Sequence, residues 1–352
     1  MADRRVEARR IGLTLAISAV GGLLGHVLGL PAGWLMGGAL AVTIAAMAGL
    51  PIGMPNWVRD IAFVLVGMSM GTTVAADSLG RIGQWPVSIA GLVIELVLII
   101  SITGWVLARL FGLDRGTAYL SSFPGHLSFI MGIASAGIGD PRQIAIIQVI
   151  RILILTVAVP VGTLFLPVAH FPLPDAPAVM SPVTLVLLAI GCALAGWIFV
   201  RLKVPAGFVL GAMAASTAAK LGGLFDGAMP PVLVVITFIM TGALIGSRFA
   251  GISRAELQRA AVGGLIATGL TVGITTLVVF CVSLFVEMPF GQIWVGLAPG
   301  ALEGMGALGI ALGYDTAFVA AHHVIRLLLL SFAIPAVAVM VRVSERRASP
   351  GE

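Results

Sequence analysis

The sequence predicts an all-α integral membrane protein: two inverted repeats, each of five spanning helices plus one broken or re-entrant segment. Three observations lead there. The composition cannot cover a water-facing surface, the two halves repeat each other, and each half carries a Pro-Gly break inside an apolar segment. The 352 residues are 59% hydrophobic and only 10% charged, with a mean hydropathy of +1.12. A soluble domain carries about 25% charged residues. A cytosolic enzyme, a nucleic-acid-binding domain and a disordered regulator are therefore excluded, and the lipid bilayer is the first expected partner.

The elements follow in order. Residues 1–10 form a short N-terminal tail bearing Arg4, Arg5, Arg9 and Arg10. The next apolar run, 11–30, exceeds a signal-peptide core. No small-residue cleavage site leads from it into a polar region, so it reads as a retained first span. Further segments of spanning or near-spanning length fall at 32–50, 58–76, 87–110, 117–138 and 142–166. They make the first membrane repeat, 11–167. A Pro-rich linker, 168–181, leads to the second repeat, 182–341. Its segments are 182–200, 206–221, 232–247, 260–285, 293–312 and 317–341, and a tail of 342–352 follows.

The halves match in register. Pro31-Ala32-Gly33 and Gly37 correspond to Pro205-Ala206-Gly207 and Gly211 at an offset of 174. After one inserted residue the offset is 175. It pairs Gly67 with Gly242, Gly71 with Gly246, Pro124-Gly125 with Pro299-Gly300, and Asp140 with Asp315. It also pairs Val149-Ile150-Arg151 with Val324-Ile325-Arg326, and Pro160 with Pro335. Such a register through Gly, Pro and ionisable positions signals duplication.

Loop charges set the expected orientation. If the fifth segment of each half enters and leaves on one side, each half crosses five times and the second is upside down. Sixteen of the 20 basic residues then face the cytoplasm with both termini, as positive-inside bias requires. The linker 168–181 would be periplasmic, and the protein would be a multi-pass resident of the bacterial inner membrane. The net charge of +5 is thus a topology signal and implies no nucleic-acid partner. Cys192 and Cys281 lie in apolar runs and read as small packing residues.

The breaks carry the chemistry. A Pro-Gly pair within a membrane segment interrupts the helix. The freed amides and carbonyls must then be satisfied by protein, ligand or a water-filled cavity. Paired interruptions in two repeats point to a transporter's site, and half-helix N-termini suit an anion. The candidate substrate- or ion-binding residues are Ser122, Pro124, Gly125, His126 and Ser128 at the first break. At the second they are Pro299, Gly300 and Glu303, the last matching Ser128. From the following helices come Gln148 and Arg151, and His322, His323 and Arg326. Intramembrane ionisable groups mark pathways and relays. Glu303 could carry a proton or bind a cation, and His126 could titrate near neutral pH. Arg151 and Arg326 have two readings: gripping an anionic substrate, or a structural role, capping hairpin carbonyls or pairing with Asp140, Asp315 or Glu95. For Glu95, whose mate is Leu270, a structural salt bridge is the expected role. Asp140 and Asp315 read as N-caps. No catalytic residue, metal site or cofactor is implied.

Pro31–Gly37, the Phe-Pro-Gly-His segment 123–126 and the Val-Ile-Arg helix 149–151, with their counterparts in the second half, give this chain a resemblance to a known family. It resembles the AbrB family of bacterial membrane proteins, often labelled ammonia monooxygenase or regulator, over nearly all of 11–341. It does not resemble the small soluble DNA-binding regulator of the same name. The family looks like a distant member of the cation/proton antiporter and anion transporter group. That likeness implies inverted repeats, a scaffold and a moving transport domain, hence an elevator-like carrier. The paired aspartates of the proton-antiporter branch are absent here, so simple Na+/H+ exchange is not implied.

The expected function is secondary transport of a small anionic organic solute coupled to H+ or Na+, by a homodimer. One alternative is an indirect effect on gene expression. The other, a monooxygenase, would need clustered metal ligands, whereas His26, His126, His170, His322 and His323 are scattered apart from the last two.

Overall fold

The computed structural model describes residues 2–74, 83, 85–125, 127–164 and 179–348. Among these the regular structure is helical, apart from an isolated bridge between Val179 and Ala228. The first half contains α1 (Ala2–Val27), α2 (Gly33–Met47), α3 (Asn56–Thr73) and α4 (Trp85–Leu110). It continues with α5 (Arg115–Ser122), α6 (Leu127–Ser135) and α7 (Pro141–Thr163). The second half contains α8 (Pro182–Arg201), α9 (Gly207–Leu221), α10 (Pro231–Ser247) and α11 (Arg254–Ser283). It ends with α12 (Phe290–Leu297), α13 (Leu302–Ala311) and α14 (Thr316–Ala348).

Six of these helices, α1, α4, α7, α8, α11 and α14, are long and apolar enough to cross a membrane. The protein is an all-α, multi-pass membrane protein. Several helices outrun their apolar cores. α1 starts nine residues before the apolar run at 11, because Arg and Glu are good helix formers and residues 5–10 are exposed. α11 starts six residues before 260. A capping box fixes that point: Ser253 Oγ accepts the Glu256 amide at 3.2 Å, and the Glu256 carboxylate accepts the Ser253 amide at 2.8 Å. As expected, Asp140 and Asp315 are N-caps. Asp140 accepts from the Arg142 and Gln143 amides, and Asp315 from Ala317 and Phe318.

Packing interleaves the two halves. α1 and α2 form a hairpin that packs on α10, and α8 and α9 form a hairpin that packs on α3. Glycines allow these contacts. A Cβ on Gly67 of α3 would meet the Val209 carbonyl of α9 at 2.1 Å, and one on Gly242 of α10 would meet the Leu35 carbonyl of α2 at 2.8 Å. Leu35 and Val209 are themselves matched positions at the offset of 174. Matched glycines therefore press on matched partners in the opposite half. Close backbone approach replaces the hydrophobic drive that lipid cannot supply between membrane helices. The remaining helices, α4, α7, α11 and α14, surround the broken segments α5–α6 and α12–α13. A single cluster of buried residues joins Phe123, Ile130, Leu297 and Met305 to Leu92, Val279 and Leu330.

Ala32 and Ala206, the N-caps of α2 and α9, both adopt the left-handed conformation at φ 52°. That region costs an L-residue about 1–2 kcal/mol, and glycine's extra chain entropy returns roughly 0.5–1 kcal/mol. Ala32→Gly and Ala206→Gly are each expected to raise stability by up to about 1 kcal/mol, read as a higher midpoint of thermal unfolding in detergent. A lower midpoint in both would show that the two methyl groups pack more tightly than the backbone strain costs.

Candidate functional site

Each broken segment is a hairpin whose two ends lie side by side. In the first, the Asp140 amide donates to Thr117 Oγ1 at 2.6 Å, and a Cβ on Gly116 would meet the Gly139 amide at 2.6 Å. In the second, the Asp315 amide donates to Gln292 Oε1 at 3.2 Å. A Cβ on Gly291 there would strike the Tyr314 hydroxyl at 2.0 Å. Thr117 and Gln292 occupy matched positions, so each chain passage starts and finishes at one end of the bundle.

The tips are tight turns at the Pro-Gly pairs. Phe123 and Ala298, preceding the prolines, are extended (ψ 125° and 131°), as proline demands of its predecessor. The Gly125 amide returns to the Phe123 carbonyl at 3.1 Å, and the Gly300 amide to the Ala298 carbonyl at 2.8 Å. Gly125 sits at φ +121°, where L side chains are strained. Its equivalent Gly300 lacks a positive φ. There a Cβ would instead meet the Met305 side chain at 2.4 Å.

A buried arginine holds each tip. Arg326 donates from Nη1 to the Ala298 carbonyl at 2.5 Å and the Leu297 carbonyl at 3.4 Å. Its Nη2 donates to the Gly300 carbonyl at 2.8 Å. Arg151 donates from Nη2 to the Phe123 carbonyl at 3.0 Å and from Nη1 to the Ser121 carbonyl at 3.4 Å. Arg151 lies eleven residues into its helix from Asp140, roughly 16 Å at 1.5 Å per residue, which puts it level with the tip of a hairpin of eight- and nine-residue arms. These are carbonyl-capping bonds. The arginines satisfy carbonyls orphaned by the breaks, the requirement that a membrane interior imposes. Gln148 joins the first set, donating to the Leu120 carbonyl at 3.3 Å and accepting from Arg151 at 3.4 Å.

Glu303 lies in the first turn of α13, whose N-cap Ala301 offers no side-chain cap. It accepts from Arg248 Nη2 at 2.7 Å, with side chains only 11% and 29% exposed. Arg248 caps the C-terminal end of α10, so this ion pair ties the second hairpin to the helix packed on α2. At the matching place in the first half, Thr73 Oγ1 lies 3.1 Å from Thr316 Oγ1 of α14, and Thr316 also donates to the Met70 carbonyl at 2.7 Å. Arg248 was hidden among the loop-end basic residues in the sequence. The signal that exposes it is that Thr73 and Ser128, its counterpart and that of Glu303, are both uncharged.

A third polar set lies behind the hairpins. His322 Nδ1 is 2.9 Å from the Phe318 carbonyl, and its Nε2 is 2.7 Å from Ser88 Oγ of α4. His323 Nδ1 is 2.9 Å from the Val319 carbonyl, which makes Nδ1 the protonated nitrogen, and its Nε2 has no partner. Glu95 differs from expectation. Among the described residues it forms no salt bridge; Oε1 accepts from the Thr275 hydroxyl of α11, while Oε2 has no partner. Arg326 acts on it electrostatically, but that guanidinium is already turned to the hairpin carbonyls.

The structure thus brings Ser122, Pro124, Gly125, Gln148 and Arg151 together at one tip, and Pro299, Gly300, Glu303 and Arg326 at the other. Ser122 spends its hydroxyl on the Ala118 carbonyl at 2.8 Å. His322 and His323 face α4 and the helix interior rather than a hairpin carbonyl. His126 and the Ser128 side chain lie outside the described residues. Among the described residues no three His, Cys, Asp or Glu converge to hold a metal ion.

Residues 34–342 match the family model described as "Transition state regulatory protein AbrB". The chain is 25% identical over 313 residues to "Putative regulator AbrB" of Escherichia coli (strain K12), covering 88% of this chain and 90% of that protein. It is 24% identical to "Uncharacterized protein YhjN" of Bacillus subtilis (strain 168), covering 91% and 90%. Nearly the whole membrane bundle, both hairpins and both tip arginines fall inside the matched span, and the chain belongs to the AbrB family.

Proposed function

We propose that this protein is a secondary transporter of the bacterial inner membrane. It moves a small, anionic organic solute by elevator-like alternating access coupled to H+ or Na+. The observation that carries this reading is the pair of re-entrant hairpins whose tips meet buried arginines partway along the following helices. Backbone irregularity at membrane depth is tolerated where it is held by protein or lines a cavity, and paired interruptions in two repeats are the mark of a carrier's site. The hairpin ends that meet at one side support five crossings per half. With the loop charges, that supports inverted halves with both termini in the cytoplasm. The pairs α1–α2 with α10, and α8–α9 with α3, would form the static part of a homodimer, and the hairpins with their surrounding helices the moving part. Arg248–Glu303 and Thr73–Thr316 are among the polar ties across that boundary.

In this mechanism the solute's carboxylate competes with Glu303 for Arg248 beside the uncapped amides of α13. The expected test is uptake of radiolabelled mono- and dicarboxylates into proteoliposomes. Glu303→Gln should change uptake of the transported solute at least about fivefold, a typical minimum for a coupled site, with its thermal stability near that of the native chain. Unaltered flux in this variant would remove the ion pair from the mechanism, and absence of uptake for every carboxylate would remove the anion. The regulator name carried by the Escherichia coli relative fits an indirect route, in which transport of a metabolite alters gene expression.

A further inference from the structure

We propose that a cleft between the ends of α4, α7 and α11 binds one phospholipid with an amine-bearing, zwitterionic headgroup. The site is separate from both hairpin tips. It requires of the carrier reading only that this end of the bundle stands at a membrane surface.

The cleft has a volume of about 340 Å³, within the roughly 300–1,000 Å³ of small-molecule sites. Its walls are apolar: Phe111 after α4, Ile146 and Ile147 of α7, and Ala260 and Gly263 of α11. Ile147 lies six residues past the start of α7 and Gly263 nine past the start of α11. At 1.5 Å per residue those are depths of roughly 9 and 14 Å. The cleft therefore runs from the charged helix ends toward the level of acyl chains. Leu110 and Val262, the chain neighbours of Phe111 and Gly263, are exposed, so its flanks are apolar too.

The repeat shows why the cleft is open. Ala260, Gly263, Gln143 and Ile147 line it, and they match Trp85, Ser88, Phe318 and His322 at the offset of 175. In that half the four side chains close the equivalent junction by touching one another. The Trp85 ring centroid lies 6.1 Å from those of Phe318 and His322. The Phe318 and His322 centroids are 4.0 Å apart, and Ser88 Oγ is 2.7 Å from His322 Nε2. One half plugs the junction of its helices with rings. The other leaves room for a guest of comparable apolar character.

The mouth selects the headgroup. Arg142 is committed to the Glu256 carboxylate, at 2.8 and 3.1 Å, and to the Gly251 carbonyl at 2.6 Å. Asp140 uses Oδ1 for both cap amides. Asp140 Oδ2 and the exposed Arg259 guanidinium, which line the same cleft, have no partner among the described residues and form no ion pair with each other. Two opposite charges held apart on one mouth match a guest that carries both. A phosphate meets the guanidinium as a fork, and the ammonium of the same headgroup meets the carboxylate. A purely anionic headgroup would set a second negative charge against Asp140. Basic clefts between membrane helices are known lipid-headgroup sites, and the unpaired carboxylate is what narrows this one to the amine lipid.

Delipidated full-length protein in detergent tests the site. It is titrated with dioleoyl-phosphatidylethanolamine, dioleoyl-phosphatidylglycerol or soluble phosphoethanolamine, and followed by native mass spectrometry and thermal unfolding. The amine lipid should give a saturable one-to-one adduct and raise the unfolding midpoint. Arg259→Gln and Asp140→Asn should each weaken that adduct about fivefold, the effect of one charge at a membrane surface; asparagine keeps the helix cap. Ala260→Trp, which transfers the other half's plug, should abolish the adduct while the delipidated variant unfolds near the native midpoint. No saturable adduct, tighter binding of phosphatidylglycerol, equal binding of phosphoethanolamine, or an adduct undiminished in Ala260→Trp overturns the proposal. If Ala260→Trp does not fold, the charge variants decide: undiminished binding in both also overturns it.

Discussion

Arg326→Ala is expected to lower the stability of the folded protein by about 3–5 kcal/mol, because buried carbonyls left without a donor cost about 1–3 kcal/mol each. Three carbonyls at the second hairpin lose their donors, and each hydrogen bond from a charged group contributes about 1.5–3 kcal/mol. No lipid or neighbouring backbone can replace them. Arg151→Ala should cost less, because its bonds to Phe123 and Ser121, at 3.0 and 3.4 Å, are longer than the 2.5 and 2.8 Å bonds of Arg326. Arg326→Lys should recover only part of the loss. An ammonium is a point donor and cannot reach around the turn as the planar fork does. Thermal unfolding in detergent, with proteolysis at the hairpin as a local readout, measures all three. Equal midpoints for Arg326→Ala and the native protein would show that the carbonyls find other donors.

Gly67→Ala is expected to destabilise the protein by about 3 kcal/mol, typical of overpacking against backbone that cannot move aside. The new methyl would lie 2.1 Å from the Val209 carbonyl and 2.9 Å from Ala212 Cβ, so α3 and α9 must part. Gly242→Ala, at 2.8 Å from the Leu35 carbonyl and 3.0 Å from the Ala39 amide, should cost about half as much. Gly269→Ala in α11, where nothing lies within 4 Å, should be neutral or gain up to about 1 kcal/mol from helix propensity. The ordering, read from unfolding midpoints, is the test. A Gly67→Ala protein as stable as Gly269→Ala would mean that the interleaved contact between the halves yields easily.

Much of this was legible because a membrane chain has few ways to satisfy its backbone. The composition forced helices, and the Pro-Gly pairs forced breaks. Asp140 and Asp315 announced helix starts by their position before apolar runs. The glycine register announced the duplication without saying which helices its glycines would press together. Ala32 and Ala206 gave no sign of their left-handed backbone, since alanine ordinarily avoids it. Arg151 and Arg326 were visible as matched mid-span charges, but their partners are backbone carbonyls, which carry no sequence signature.

What the sequence settled by itself is the part governed by local chemistry and by repetition: apolar length, helix interruption, capping and the pairing of the two halves. What only the tertiary structure decided is the choice of partner. Arg248 lies 55 residues from Glu303 and Thr275 lies 180 from Glu95, and packing alone brings them together. The reason is physical. A buried charge takes whichever complementary group the fold places within reach, and that reach depends on helix crossing, which apolar periodicity does not encode.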